Sequence, residues 1–252
     1  MLKKSVICFA LIVIIFFDAC LPDRPTIAKC WFYTYQTDFS VAQNKGLTPT
    51  SFLCIRENGS YTRDFGVFDY GNWTFDNKSL VLTSKRNQST TLKMESLKTH
   101  EMSFEMDGKK MNFDAQPLPS SNISEDPFAL DNNLWRIPAS KKENEEAIRE
   151  RLRNHARYWE VYFTWALKTK QEALDVRSTP TPIKIYGNGF TLKSVEDEPG
   201  RWKSYFFDEE DCRRADEILK NIVEQHNIAL AHTDNKYKMF IGIFQQLETA
   251  LK

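Results

Sequence analysis

The stretch Ser51-Phe-Leu-Cys-Ile-Arg-Glu-Asn58-Gly59-Ser60-Tyr-Thr-Arg-Asp-Phe65 decides the fold of the first half of the chain. Two short runs rich in Phe, Ile, Tyr and Thr flank Asn58-Gly59. Both residues of that pair tolerate positive φ, which suits the tightest hairpin turns. The reading is therefore a hairpin, with strands over Ser51–Glu57 and Ser60–Phe65. Working outward, the same pattern recurs. Strands are predicted over Cys30–Gln36, Gly71–Phe75, Ser79–Ser84, Ser89–Ser96, Glu101–Met106 and Lys109–Ala115. Turn formers separate them, among them Asp76-Asn77-Lys78, Lys85-Arg86-Asn87-Gln88 and Asp107-Gly108. Thr74, Leu80, Leu82, Leu92, Met94, Phe104 and Met106 alternate along these runs and make one face apolar. Short strands at near-regular spacing predict an antiparallel meander over residues 28–116 that closes into a barrel or half-barrel.

The periodicity then changes. Residues 117–139 open on Pro117-Leu118-Pro119-Ser120-Ser121-Asn122, a polar, Pro-rich linker composition. Beyond it, Ile148, Leu152, Ala156, Trp159, Phe163 and Ala166 recur at helical spacing. They predict a helix over about 141–175, with Ser140 as cap and Glu143 as its capping-box partner. Thr179-Pro180-Thr181-Pro182 stops it. Short strands are expected over Ile183–Tyr186, Phe190–Ser194 and Arg201–Phe206. Asp208 then caps a helix over Glu209–Gln225, and a last helix runs over about 234–251. The second half, 140–252, therefore reads as an α+β unit, and the whole chain as mixed β and α+β.

Several residues in the first half fall into a known order. Trp31 stands in the first strand. Phe52 is followed by Asn58-Gly59-Ser60-Tyr61, then Gly71-Asn72-Trp73, then Leu80-Val81-Leu82. This order resembles the small lipocalin-like domains of Bacteroidetes lipoproteins, although Lys29-Cys30-Trp31 lacks the glycine of the first Gly-x-Trp. The resemblance covers the β half alone and implies a fold, not a substrate. A tryptophan near a barrel's closed end fills volume that smaller side chains cannot. The glycine two residues before it lets the backbone approach its neighbour. A barrel of about eight strands can be filled by side chains or can hold one small ligand. Trp31, Tyr33, Phe52, Tyr61, Trp73 and Phe104 are the candidate residues for a small apolar ligand, or for core filling.

The chain opens Met1-Leu2-Lys3-Lys4, followed by an unbroken apolar run from Val6 to Phe17. A membrane-spanning helix needs roughly 20 residues, so this shorter run reads as the core of a signal peptide, 1–20. Phe17-Asp18-Ala19-Cys20 resembles a lipobox, in which the cysteine becomes the lipidated N-terminus, with Asp18 a departure from its usual small or apolar residue. Acyl chains such as palmitate on Cys20 would anchor the protein to a membrane of the cell envelope, expected to be the outer membrane. The alternative is a conventional secreted chain. Residues 21–27, broken by Pro22 and Pro25, would form a short tether.

Charge is balanced, with 34 basic and 34 acidic residues, so no basic excess points to nucleic acid. Cys30, Cys54 and Cys212 remain after Cys8 and Cys20, which allows one bridge and one free thiol. Cys30–Cys54 is the candidate disulfide. No nucleotide or nucleophile-elbow fingerprint occurs, and His100, His155, His226 and His232 lack metal-ligand spacing. No cofactor, metal or catalytic residue is assigned. The expected function is that of a lipid-anchored envelope protein of binding or structural type. One alternative is an interaction or inhibitor protein that offers the aromatic helix 158–165 to a protein partner. Another is a hydrolase with a dispersed site between the halves, using scattered carboxylates or His155.

Overall fold

Strand β1 (Cys30–Tyr33) pairs with β2 (Phe52–Ile55) on one side and with β8 (Lys109–Gln116) on the other, and that double pairing closes the sheet. Between them run β3 (Ser60–Asp64), β4 (Phe68–Phe75), β5 (Ser79–Ser84), β6 (Ser89–Leu97) and β7 (Glu101–Met106). Each pairs antiparallel with its neighbours in sequence, giving a closed eight-stranded up-and-down barrel. This is a computed structural model. It describes residues 26–34, 51–86, 88–106, 108–116, 122–169, 183–186, 189–192, 200–229, 233 and 235–252. The predicted end of β1 at Gln36 and the 21–25 portion of the tether lie outside them.

Local chemistry accounts for the barrel's shape. Gly59 takes φ +81° in the β2–β3 turn, and Asn58 accepts a hydrogen bond from the Ser60 amide at 3.0 Å. β4 begins at Phe68, earlier than predicted, because Phe68 pairs with Asp64 across a tight turn. β6 shifts register between Met94 and Ser96, a bulge that helps the sheet curl.

The two faces of the barrel differ around its circumference. Inward-facing residues such as Trp31, Leu53, Leu82, Leu92, Phe104 and Phe113 form one buried cluster. On β5 and β6 the outward residues Thr83, Thr91 and Lys93 are exposed, while the inward Leu82 and Leu92 between them are buried. On β1 and β2 the outward residues Cys30, Phe52 and Cys54 are also buried, in a second cluster shared with the helices. Strands covered on both faces read as continuous apolar runs, as Cys30–Tyr33 and Phe52–Ile55 do. Cys30 and Cys54 sit opposite each other in the β1–β2 register and are disulfide-bonded, on the covered face.

Past the barrel, 3-10 helices at Ile123–Glu125 and Asp131–Arg136 lead to α1 (Glu145–Thr169). Part of the stretch read as a linker is thus packed. Phe128 and Trp135 are buried, and the Asn133 side-chain amide donates to the carbonyls of Pro127 and Ala129. The cap of α1 is Asn144, whose side chain accepts from the Ala147 amide at 2.9 Å, in place of the predicted Ser140. Glu143 instead binds Arg151. β9 (Ile183–Tyr186) and β10 (Gly189–Leu192) form a two-stranded sheet. The strand predicted over Arg201–Phe206 is instead the short helix α2 (Gly200–Lys203) and a turn. Trp202, Tyr205 and Phe206 are all buried, and their i, i+3, i+4 spacing needs a helical backbone to face one side. α3 (Glu209–Gln225) starts at the predicted cap, where Asp208 accepts from the Asp211 amide at 2.8 Å. α4 (Lys236–Ala250) closes the chain against α1.

α1 is the spar of the molecule. Tyr158, Tyr162 and Trp165 reach the barrel side, where Trp165 lies 5.1 Å from the Phe128 ring and 6.2 Å from Phe32. Trp159 and Phe163 meet α4, with Phe163 and Phe240 rings 4.7 Å apart. The expectation that 158–165 offers an aromatic face to a partner is therefore corrected. Tyr158, Trp159, Tyr162, Phe163 and Trp165 are all buried inside the chain's own core.

Candidate functional site

The barrel has two unlike ends. At the end carrying the β2–β3 and β4–β5 turns, Ile27 is buried and its carbonyl accepts from the Trp31 indole at 2.9 Å. The Trp73 indole donates to the Arg56 carbonyl at 2.8 Å beside it. These contacts seal that end. Trp31, Leu53, Ile55, Leu80, Leu82, Phe104 and Phe113 are each 0% exposed, so no water-sized space opens on them. Side chains fill the deep interior, and a ligand lodged there would have to displace them.

The opposite end carries the β3–β4, β5–β6 and β7–β8 turns. Here the inner wall changes character. Strand alternation puts Tyr61 and Arg63 on the inner face of β3 and Asp69 with Gly71 and Trp73 on that of β4, and Phe65, just past the end of β3, packs inward against Phe104 and Phe113. Arg63 pairs with Asp69 at 3.0 Å. The Tyr61 and Ser84 hydroxyls donate to the same carboxylate at 2.7 and 2.6 Å. Arg63 also donates to Thr90 at 3.2 Å, and its guanidinium lies over the Phe65 ring at 5.6 Å. Burial works against the Asp69 charge, but the Ser84 and Tyr61 hydrogen bonds and the Arg63 charge outweigh it and hold Asp69 below the usual carboxylate range. Burial and the Asp69 hydrogen bond raise the Tyr61 phenol well above its ordinary value. The result is a fixed polar set with one cation and one anion. Arg63 and Asp69 stay partly open to solvent, at 17% and 14% side-chain exposure.

Of the six sequence-predicted ligand residues, Trp31, Tyr33, Tyr61 and Phe104 lie in the inner cluster, and Trp73 packs at its edge. Phe52 does not join them. It faces outward, 5.0 Å from Phe128, because its neighbours Leu53 and Ile55 take the inner positions of β2. Cys20 lies outside the described residues. Arg63 and Asp69 escaped the sequence reading, although their parity with Tyr61 and Trp73 was available to place them inside.

A second polar group bridges barrel and helices. Asp64, on the outer face of β3, accepts from Arg136 at 2.5 Å and also from Arg201. Nearby, Arg56 pairs with Asp126 at 2.7 Å, and Thr62 donates to the Phe128 carbonyl at 2.6 Å. His155 sits deeper, with its ring 4.8 Å from Trp135 and 5.0 Å from Trp202. Its Nε2 accepts from the Trp159 indole at 3.0 Å. Burial, with the Arg136 charge added, pushes His155 down to about 3. A neutral imidazole walled in by aromatic rings has no route to a substrate, so His155 is a core residue and not the base of a hydrolase.

Among the described residues, no group of three His, Cys, Asp or Glu side chains is placed to hold a metal ion. No helix among them is long and apolar enough to cross a membrane. Fold and site together define a closed antiparallel β-barrel with a helical unit packed over one side. No protein-family model, no curated protein and no solved structure matches this chain.

Proposed function

We propose that this chain is a lipid-anchored cell-envelope protein of the lipocalin-like kind, whose barrel mouth takes a small, largely apolar molecule with one polar head. The observation that carries this reading is the Tyr61–Arg63–Asp69–Ser84 set on the inner wall, beside Phe65. Filling a barrel calls only for apolar side chains, and burying an ion pair costs several kcal/mol per ion before any gain from pairing. Polar groups placed among aromatic ones are the usual composition of a binding site. Val67, exposed in the β3–β4 turn, extends the apolar surface of the rim.

Lipid on Cys20 supplies the orientation. Six residues, 21–26, would separate the acylated cysteine from Ile27, a reach of at most about 25 Å. Ile27 docks at the sealed end, so the anchor would hold that end toward the bilayer and turn the mouth away from it.

Fluorescence titration of the full chain with parinaric acid tests the mouth. Saturable binding that weakens in Arg63→Met, with Lys93→Ala on the exposed outer face as the folded control, is the expected result. No binding to the wild type, together with no co-purifying small molecule in native mass spectrometry, would sink it. Anchoring is tested separately. Cys20→Ala should leave the protein in the soluble fraction of its own host, and continued membrane association would remove the lipid from the reading.

A further inference from the structure

We propose that the segment Asp126–Ala129 is a strap that controls the redox lifetime of the Cys30–Cys54 bridge. Closed, it keeps thiols away from the bridge. Open, it admits them while the barrel stays folded. Three observations carry this. The first is burial. Both cysteines are 0% exposed, in the cluster that the outer faces of β1 and β2 share with Phe128 and the helices. Exchange begins when a thiolate strikes one sulfur of the bridge directly. The closed cover leaves no such approach.

The second observation is how the strap is fastened. Thr62 stands opposite Cys54 in the β2–β3 register, and its hydroxyl donates to the Phe128 carbonyl at 2.6 Å. Arg56, two residues past Cys54, pairs with Asp126 at 2.7 Å and donates to Thr62 at 3.1 Å. The Phe128 ring lies 5.1 Å from Phe32 and 5.0 Å from Phe52, which are two positions from Cys30 and Cys54 on the same outer face. From the helical side, the Asn132 amide donates to the Asp126 carbonyl at 2.8 Å, and Asn133 holds the carbonyls of Pro127 and Ala129. The strap is thus built onto the turn before α1 and clasped to the barrel by Arg56 and Thr62.

The third observation is that the barrel keeps a core of its own. Trp31, Leu53 and Ile55 lie on the same two strands as the cysteines, and their cluster holds no residue of the strap or the helices. Lifting the strap leaves that core and the ladders of β1 and β2 in place. A partial opening of this kind costs less than global unfolding. A dithiol that reaches the opened bridge supplies two electrons. Its first thiolate displaces one cysteine sulfur and forms a mixed disulfide. Its second thiolate then closes a cyclic disulfide, and Cys30 and Cys54 leave as thiols carrying the two protons.

The test is reduction of the full chain by excess dithiothreitol, quenched by alkylation and read by mass spectrometry of the Cys30 and Cys54 peptides. The wild-type bridge should react at least about a hundredfold more slowly than in the urea-unfolded chain. Arg56→Met should react about tenfold faster than wild type, the worth of one hydrogen bond to a charged group. Thr62→Val, which keeps the shape, should also react faster, and Lys93→Ala on the exposed outer face should match wild type. Across low urea the logarithm of the rate should rise less steeply than for global unfolding, because a strap exposes less surface. A wild-type bridge reduced as fast as in the unfolded chain would show no shield and overturn the proposal. A slope equal to that of global unfolding would overturn it too, since only the unfolded chain would then react. So would an Arg56→Met rate equal to that of wild type.

Discussion

Gly71 and Thr83 lie so close across the β4–β5 pair that a methyl group on Gly71 would collide with the Thr83 carbonyl oxygen. The obstacle is backbone, which cannot swing aside as a side chain can. Gly71→Ala should therefore push the two strands apart where Trp73 must seal the barrel. A loss of about 3 kcal/mol is expected, near the upper end for overpacking. Urea unfolding followed by tryptophan fluorescence measures it. A change within experimental error would show that the strands part easily.

The Cys30–Cys54 bridge links residues 24 apart in sequence and lies under the helical cover. Its chief effect is to restrict the unfolded chain, worth about 3 kcal/mol for a loop of this length. The Cys30→Ser, Cys54→Ser double variant should unfold at correspondingly lower denaturant, and reductant should no longer affect it. Cys212 is buried and takes no part in the bridge.

His155 makes the protein acid-sensitive. Its folded value of about 3 lies below the ordinary value near 6.5, so between those limits the unfolded chain takes a proton that the native core refuses. Above pH 6.5 the residue contributes nothing to the pH dependence. Below it stability falls, by about 2 kcal/mol at pH 5. His155→Gln keeps an acceptor for the Trp159 indole and should flatten this part of the stability profile. An unchanged profile would mean that water reaches the ring.

Asp216 acts in the opposite direction. Burial pushes it up to about 6, and its partner is the Trp202 indole at 3.4 Å, with Oδ2 left unpaired. Between its unfolded value near 4 and pH 6, the native state holds the proton more tightly, so stability declines as pH rises through this window. Asp216→Asn should be more stable than wild type at pH 8, by on the order of 1 kcal/mol after allowing for solvent at this half-buried site. The advantage should vanish near pH 4. Chemical denaturation at the two pH values decides it.

Much of the barrel could be read before any coordinates, because each strand carries its own punctuation. Asn58-Gly59 and the alternation through Leu80, Leu82 and Leu92 are local signals, and local signals survive in a sequence. Gly71 showed its role through its position two residues before Trp73. The failures share one cause. Arg201–Phe206 has strand-like composition, but its rings turn to one side because Trp135 and α3 wait there. Phe52 looked like a lining residue because nothing local tells which face of β2 the helices will cover. Asp64, Arg136 and Arg201 come from three separate elements, and no spacing links residues that far apart in the chain. Arg63 and Asp69 lie between these cases, since their strand parity was legible and only their meeting was not.

The apolar outer faces of β1 and β2 carry a consequence for how such a gene can be inherited. A barrel cut off after Gln116 would expose Phe32, Phe52 and Phe68, while the helices would lose the wall beneath Trp165 and Phe128. Neither fragment could be handed to another protein as a ready-made part. The two halves are bound to travel together, and a substitution on one side of the seam will be tolerated or not according to its counterpart on the other.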